Sequence, residues 1–438
     1  MRFTESNRFL RCSMQTNPFT GSLIPIFTLA LVTVAHGETT RPDRPTPLRE
    51  VVQTALANNP ALQAARARLR AAGHRVPQAA AWEDPLLGVE SETMTEPEGT
   101  RFNALKVMAG QELPISGRNR VMARAATAEA ESERHRVRDL ELETAARTAT
   151  TYYALATADS LLSITGRSRS LLTETERIAR TRYEAGQGAL ADLLAVQTET
   201  AELDRLRMEF EQNREVAAAE LSALLGLSAT ASAPRLEPLT FRELPATATR
   251  VSHALQHRPA IAAARSAIDA ARQREVLARR SRIPDPMIEL GAKDYPDTDS
   301  QEWMATVTFR LPWWNQGKLR AADAEARALR EAGEHQLTSL EQETRAMVLA
   351  RQAKAEAVAR QWKLIRDRIL PLARKTVESV RAGYETGTAG FAELNMARTR
   401  LQESEQASAR LLAEYLETVA MLETATGSMP GAKGARQP

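Results

Sequence analysis

The chain has 438 residues, one Cys, 58 basic against 55 acidic residues (net charge +3), 26% charged residues and only 5% aromatics. So even a charge balance leaves no electrostatic footprint for nucleic acid. A single cysteine excludes a disulfide framework or a Cys-ligated metal. The wealth of Ala, Leu, Arg and Glu points to long helices or coiled coils.

In chain order, residues 1–37 read as a secretory signal. Arg2, Arg8 and Arg11 supply positive charge, Leu23 to Ala35 forms the apolar core, and Ala35-His36-Gly37 offers small residues before a cut near Glu38. The apolar run is too short to span a bilayer as a helix. Cys12 precedes that core, so it does not stand at a lipoprotein position, and the mature chain has no cysteine. A proline-rich linker, Thr39 to Pro47, leads to a helix over Leu48–Asn58. Asn59-Pro60 starts a second helix, since Pro suits a first helical turn, and this one runs to about Pro77.

The period then changes. Leu87 and Val89 alternate with Gly88, Glu90 and Glu92; Thr95 to Thr100 reads as a loop; Leu105, Val107 and Ala109 alternate with Lys106, Met108 and Gly110. This is a β-hairpin. After Leu113-Pro114 and Gly117, a helix runs from about Asn119 to Glu184 without a proline, hence about 100 Å long. Such a helix needs a partner along its face. The partner follows a turn at Gly186: Leu193, Val196, Thr200, Leu203, Phe210, Ala217, Leu221 and Leu224 fall on heptad spacing.

The whole unit then repeats at an offset near two hundred residues. Ala55-Leu56 returns as Ala254-Leu255, Asp84-Pro85 as Asp285-Pro286, Leu113-Pro114 with Gly117 as Leu311-Pro312 with Gly317, Tyr183-Glu184-Ala185-Gly186 as Tyr384-Glu385-Thr386-Gly387, and Gly226 as Gly427. Five matches in one order mean duplication of a long unit, not a short solenoid. The second copy has a hairpin in which Ile288, Leu290 and Ala292, then Trp303, Ala305, Val307, Phe309 and Leu311, face one way. A long helix follows from about Lys318 to Glu385, with Gly333, Pro371 and Gly383 as breaks, and its return helix carries Leu394, Ala397, Leu401, Leu411 and Leu422. The expected organisation is signal 1–37, first repeat 38–227, linker 228–250, second repeat 251–427 and a tail, 428–438. The fold class is mainly α with a small β part.

Alternation alone fits a soluble sheet packed on one face as well as a membrane barrel. The export signal, the duplication and the tryptophans tip the balance to a barrel. Trp82, Trp303, Trp313 and Trp314 lie at or near strand ends, where a membrane interface favours them. Four strands cannot close alone, and open edges are not tolerated in lipid; three chains give twelve strands.

With its doubled Tyr-x-x-Gly turn, hairpins closing on Leu-Pro and Gly, and long helix pairs, the chain resembles the TolC-type outer-membrane efflux proteins over nearly its whole mature length. The resemblance implies a homotrimer, with an α-helical barrel in the periplasm and a twelve-stranded β-barrel in outer-membrane lipid. It also implies an exit duct with two partners, a periplasmic adaptor and an inner-membrane transporter of RND type. It implies no enzymatic activity and no cofactor.

By the same resemblance the turns lie at the periplasmic tip, with Gly186, Gly387 and Tyr183 meeting the adaptor. Asp192 matches the aperture aspartate, Glu393 is its counterpart, and Tyr384 matches a tyrosine of the closing latch. The latch arginine falls at Ala389, which puts that latch in doubt; Arg381, Arg398 and Arg182 are the candidate substitutes. Physically, threefold symmetry makes Asp192 a ring of three carboxylates, which selects cations in a narrow passage; a solvated residue beside a turn is the plainer alternative.

The Asp-Pro pairs and Trp314-Asn315-Gln316-Gly317-Lys318 look most like heavy-metal efflux ducts; drug or general efflux and type I secretion are alternatives. A soluble periplasmic coiled-coil adaptor is the rival from another class. His253 and His257 have a chelating spacing but no third ligand nearby, so surface histidines are the favoured reading.

Overall fold

The computed structural model describes residues 44–96, 99–227, 234–244, 249–296 and 299–431, with side chains omitted over 94–103. The signal expected at 1–37 and tail residues 432–438 lie outside the described residues.

Helix α1 spans Leu48–Asn58 and α2 spans Pro60–Ala80. The Asn59 side chain caps α2, accepting from the Ala61 and Leu62 N–H groups at 2.9 and 3.3 Å. Its amide also donates to Leu224 O at 3.2 Å. α2 continues past the end expected near Pro77. Proline removes one donor, but its own carbonyl still accepts from Ala81 N at 3.0 Å.

β1 (Leu86–Glu96), β2 (Gly99–Glu112), β3 (Pro286–Tyr295) and β4 (Ser300–Phe309) form one antiparallel sheet in the order β1-β2-β3-β4. The first hairpin is longer than expected. Its ladder reaches Glu96↔Gly99, through most of the segment read as a loop, because the backbone groups of a projecting hairpin pair with one another.

α3 spans Arg118–Glu184, 67 residues and about 100 Å. α4 (Leu190–Leu224) returns along it. In the second copy, α5 (Arg250–His257) and α6 (Pro259–Arg280) precede the hairpin. A short 3₁₀ turn over Pro312–Asn315 then leads into α7 (Gln316–Leu364). Gly317 therefore lies inside the first turn of α7, and Asn315 caps it. The expected break at Pro371 does not occur. A π-helical turn over Ile365–Ile369 joins α7 to α8 (Leu370–Thr386), with the Leu370 N–H bonded to Ile365 O. The wider turn moves the preceding carbonyls away from the proline ring, so the rod continues. α9 (Phe391–Ala425) returns.

The main core lies part-way along the rods, where α1, α3, α4 and α9 meet around Val51, Tyr152, Leu155, Leu221, Tyr415 and Val419. The described part of the connecting segment between the repeats, 234–244, is a packed strap. Phe241 is stacked between Trp362 and Tyr415, with ring centroids 4.6 and 4.7 Å away. The Tyr152 hydroxyl donates to Thr46 O and accepts from Glu237 N, both at 3.1 Å; burial pushes its pKa up to about 12. Trp362, the fifth tryptophan, is thus a core residue.

The return helices end alike. Gly226 and Gly427 have φ of 65° and 81°, and a Cβ on either would lie 2.7 Å from a carbonyl, that of Asn58 or His257 respectively. These carbonyls correspond between the copies. Gly226→Ala or Gly427→Ala is expected to cost about 1–3 kcal/mol each, read as a lower thermal midpoint of the detergent-solubilised protein.

On α9, burial raises the pKa of Glu417, and Glu414 adds to the shift against Lys354. A carboxyl whose folded pKa is raised is penalised when ionised. Stability therefore falls as pH climbs from the ordinary value of 4.5 through the folded value. Glu417→Gln is expected to raise the thermal midpoint at neutral pH, with the gain vanishing as pH falls toward 4.5; thermal scans across pH check this.

Candidate functional site at the helix tips and the sheet

Both tips end in left-handed glycines, Gly186 at φ 72° and Gly387 at φ 82°. The residue after each reaches back to a corresponding carbonyl: Gln187 N to Arg182 O and Thr388 N to Gly383 O, both at 2.8 Å. This closes each helix as a Schellman-type cap, which favours glycine. The second tip is the more tightly bonded, since Gly383 O also accepts from Ala389 N at 3.0 Å and the Thr388 hydroxyl at 3.2 Å.

Asp192 and Glu393 sit in the first turns of α4 and α9. Their negative charge suits a helix N-terminus. Glu393 is exposed and Asp192 half-buried; no hydrogen bond or ion pair engages either carboxylate among the described residues.

The two corresponding tyrosines have diverged. Tyr183 is 43% exposed, whereas Tyr384 is 3% exposed and packs with Leu172, Val196, Leu203, Phe391 and Leu394. Phe391 meets its ring edge-on at 6.3 Å. The Arg182 guanidinium lies over the same ring, 4.8 Å from its centroid, so the first tip stacks on the second by a cation–π contact. Of the other candidate arginines, Arg381 pairs with Glu385 on its own helix at 2.8 Å. Arg398 donates to Leu171 O at 2.8 Å; burial, followed by nearby Arg381, pushes its pKa down.

At the other end, the sheet has one apolar and one polar face. Register places Val89, Val107, Ala292 and Trp303 in one row and Leu87, Ala109, Leu290 and Ala305 in the next. Leu87, Val89, Leu290, Val307, Phe309 and Trp303 on this face are each at least half exposed. Contiguous apolar exposure of this kind marks a lipid or protein contact. The other face carries charge: Lys106 pairs with Glu90 at 3.2 Å and Lys293 with Glu92. In the adjoining row Gly88 and Gly291 leave room for Met108 and Met304. Trp82, Trp313 and Trp314 are exposed at the helix end of the sheet and Trp303 near the far end.

The joint between sheet and rod is held by Asp285, a residue the sequence offered only as half of an Asp-Pro pair. Its carboxylate accepts from Ser116 N at 2.7 Å and Ser116 Oγ at 2.8 Å. Arg118 joins it at 3.6 Å while also pairing with Glu112 at 3.0 Å and Glu83 at 3.2 Å.

The family described as outer membrane efflux protein matches residues 51–227 and 251–428, almost all of the described chain. The chain belongs to this family. Among solved structures, the outer-membrane channel OprN is 19% identical with a TM-score of 0.77, covering 87% of this chain and 90% of its own. CusC, described by its transmembrane channel formation, matches at 19% identity and TM-score 0.77, covering 87% and 92%. The outer membrane protein VceC of Vibrio cholerae matches at 19% and 0.75, covering 87% and 96%. No curated protein matches the chain significantly by sequence.

In this efflux-family chain no described helix is long and apolar enough to cross a membrane, which leaves strands unaddressed. The His253 and His257 rings stack at 4.1 Å, and each Nδ1 faces a backbone carbonyl at 3.1 Å. Among the described residues no group of three or more His, Cys, Asp or Glu is placed to hold a metal.

Proposed function

We propose that the chain is the outer-membrane exit duct of a tripartite efflux pump, built as a homotrimer. The observation that carries this reading is the sheet. One face is apolar and exposed, the other is charged, both edges lack a strand partner among the described residues, and rods of about 100 Å stand below it. Ten-residue strands suit the apolar band of an outer-membrane barrel when tilted, and closure removes both edges. Three copies then give twelve strands, with Trp82, Trp303, Trp313 and Trp314 at the interfaces.

In this reading the signal is 1–37, the repeats 38–227 and 251–427, the linker 228–250 and the tail 428–438. The tip turns at Gly186 and Gly387, with Tyr183, meet a periplasmic adaptor. Asp192 and Glu393 line the aperture, and Tyr384 holds the tips together behind them. The duct needs no cofactor and catalyses nothing; an RND-type transporter in the inner membrane supplies the energy. Heavy-metal cations are the proposed cargo. That assignment rests on the compact length, the Asp-Pro pairs and the Trp314 to Lys318 segment; CusC, OprN and VceC match at the same 19% identity and do not separate the cargoes.

The protein should resist carbonate extraction from outer membranes, run as three copies by native mass, and conduct in planar bilayers. A carbonate-soluble, non-conducting single chain would refute the duct. Deleting the gene should sensitise cells to divalent or soft metal cations; unchanged metal tolerance with new drug sensitivity would replace the cargo.

A further inference from the structure

The duct makes no use of the two histidines on α5. His253 and His257 stand four residues apart and so share one helix face. Their rings stack with centroids 4.1 Å and planes 18° apart. His253 Nδ1 faces Thr426 O, and His257 Nδ1 faces His253 O, each at 3.1 Å. A carbonyl oxygen only accepts, so each contact is a hydrogen bond only with the proton on Nδ1. The other nitrogen of each neutral ring is then a bare lone pair. Neither Nε2 has a hydrogen bond or ion pair among the described residues. His257 is exposed and His253 half-buried.

We infer that His253 and His257 form a binding site for one divalent transition-metal ion, Cu²⁺ most tightly, through both Nε2 atoms with water completing the shell. Imidazole suits Zn²⁺, Ni²⁺ and Cu²⁺, and Cu²⁺ heads the order of affinity. Metal-bound histidines characteristically donate their other N–H to a carbonyl or carboxylate, which fixes the tautomer and raises the basicity of the ligand. Both rings already do so. With metal–nitrogen bonds of about 2.0–2.1 Å, two imidazoles on one ion have centroids about 4.4–5.2 Å apart for bond angles from about 90° to 109°. The rings stand at 4.1 Å. Turning the exposed His257 ring out of the stack, with an opening of about 0.3–1.1 Å, makes the lone pairs converge. A structural site closes on four protein ligands; two nitrogens and water make an exchangeable one, so the missing third ligand does not forbid it.

Duplication supplies an internal control. Ala55 corresponds to Ala254, so Thr54 and Asn58 stand where the second copy has His253 and His257. The Thr54 hydroxyl bonds to Glu50 O of its own helix at 3.0 Å. The backbone around the two places is alike, with Gly226 against the Asn58 carbonyl and Gly427 against that of His257. The joint therefore folds without histidine, and the imidazole pair is an addition of the second copy. Since His253 is bonded to Thr426 O at the end of α9, an ion on this pair stiffens the joint between α5 and α9. The site is independent of which cargo the duct carries.

Titration of metal-free, detergent-solubilised full-length protein with Cu²⁺, Zn²⁺ and Mg²⁺ tests the site. One Cu²⁺ per chain that a His253→Thr/His257→Asn double variant lacks is expected, with an electron paramagnetic resonance signature of two coordinated nitrogens. Zn²⁺ should bind more weakly and Mg²⁺ not at all. These substitutions give the second copy the residues of the first, so the variants are expected to fold. Each single variant should weaken Cu²⁺ binding roughly tenfold or more, nearly as much as the double, since a chelate needs both nitrogens. Equal, additive losses in the two single variants would mean independent surface histidines and overturn the site, as would unchanged Cu²⁺ uptake in the double variant.

As a second readout, Zn²⁺ should raise the thermal midpoint of the unaltered protein in a concentration-dependent way and leave that of the double variant where it is. An equal rise in both overturns the coupling to the joint. Conductance and carbonate extraction read the duct alone, so failure of the metal site leaves the duct standing.

Discussion

Replacing Asp192 with alanine is expected to reduce the cation preference of the reconstituted channel on the order of tenfold. The carboxylate sits in the first turn of α4, half-buried, and among the described residues no cation pairs with it. Threefold symmetry multiplies it into a ring. One charge at 4 Å is worth about 1 kcal/mol even in bulk water, and about 1.4 kcal/mol is tenfold in local concentration. Glu393→Ala should act in the same direction but less strongly, since Glu393 is exposed and more fully screened. High salt should erase both effects, because the screening length falls to about 3 Å at 1 M. Reversal potentials under a salt gradient give the answer; an unchanged Asp192→Ala potential at low salt would sink the ring.

Tyr384→Ala is expected to loosen the tips while leaving the rest of the protein folded. The ring is 3% exposed and is held by Arg182 on its face and Phe391 at its edge. Truncating a buried aromatic costs about 3–5 kcal/mol, of which the cation–π contact is about 0.5–2. The tip cluster around Leu172, Val196 and Leu394 is separate from the main core around Tyr152 and Tyr415, so the loss should appear as local opening. Amide exchange should speed up across both tip turns, and hydrophilic dyes should leak through the duct. The thermal midpoint should barely move. Tyr384→Phe should keep nearly all the packing, while Tyr183→Ala should leave exchange unchanged and weaken only capture of an adaptor. Unchanged exchange at the tips in Tyr384→Ala would show that the stack does not hold them.

Much of this was legible in the residues because it is local. A period near two separates the hairpins from rods with heptad spacing, and glycine in Tyr-x-x-Gly ends a helix, whatever surrounds it. Repetition of these signals at one offset was enough to establish duplication and the mainly helical fold. Elsewhere local rules misled. Pro371 reads as a break, yet the rod passes through it, because packing on α9 favours continuation and a π turn absorbs the misfit. Thr95 to Thr100 reads as a loop, yet the ladder runs on to Glu96↔Gly99.

What only the tertiary structure decided are choices of partner between residues far apart in the chain. The sequence left Arg182, Arg381 and Arg398 as alternatives for Tyr384, and only the packed rods put Arg182 over its ring. Nothing near Asp285 says that it holds Ser116, or near Phe241 that it slots between Trp362 and Tyr415. The two Tyr-Glu-x-Gly copies make the same point. Sequence determined that both form turns, since backbone conformation is set by the residues in the turn. Their burial, 43% exposed for Tyr183 and 3% for Tyr384, depends on which neighbouring rod covers each, and that is settled only when all the rods are in place.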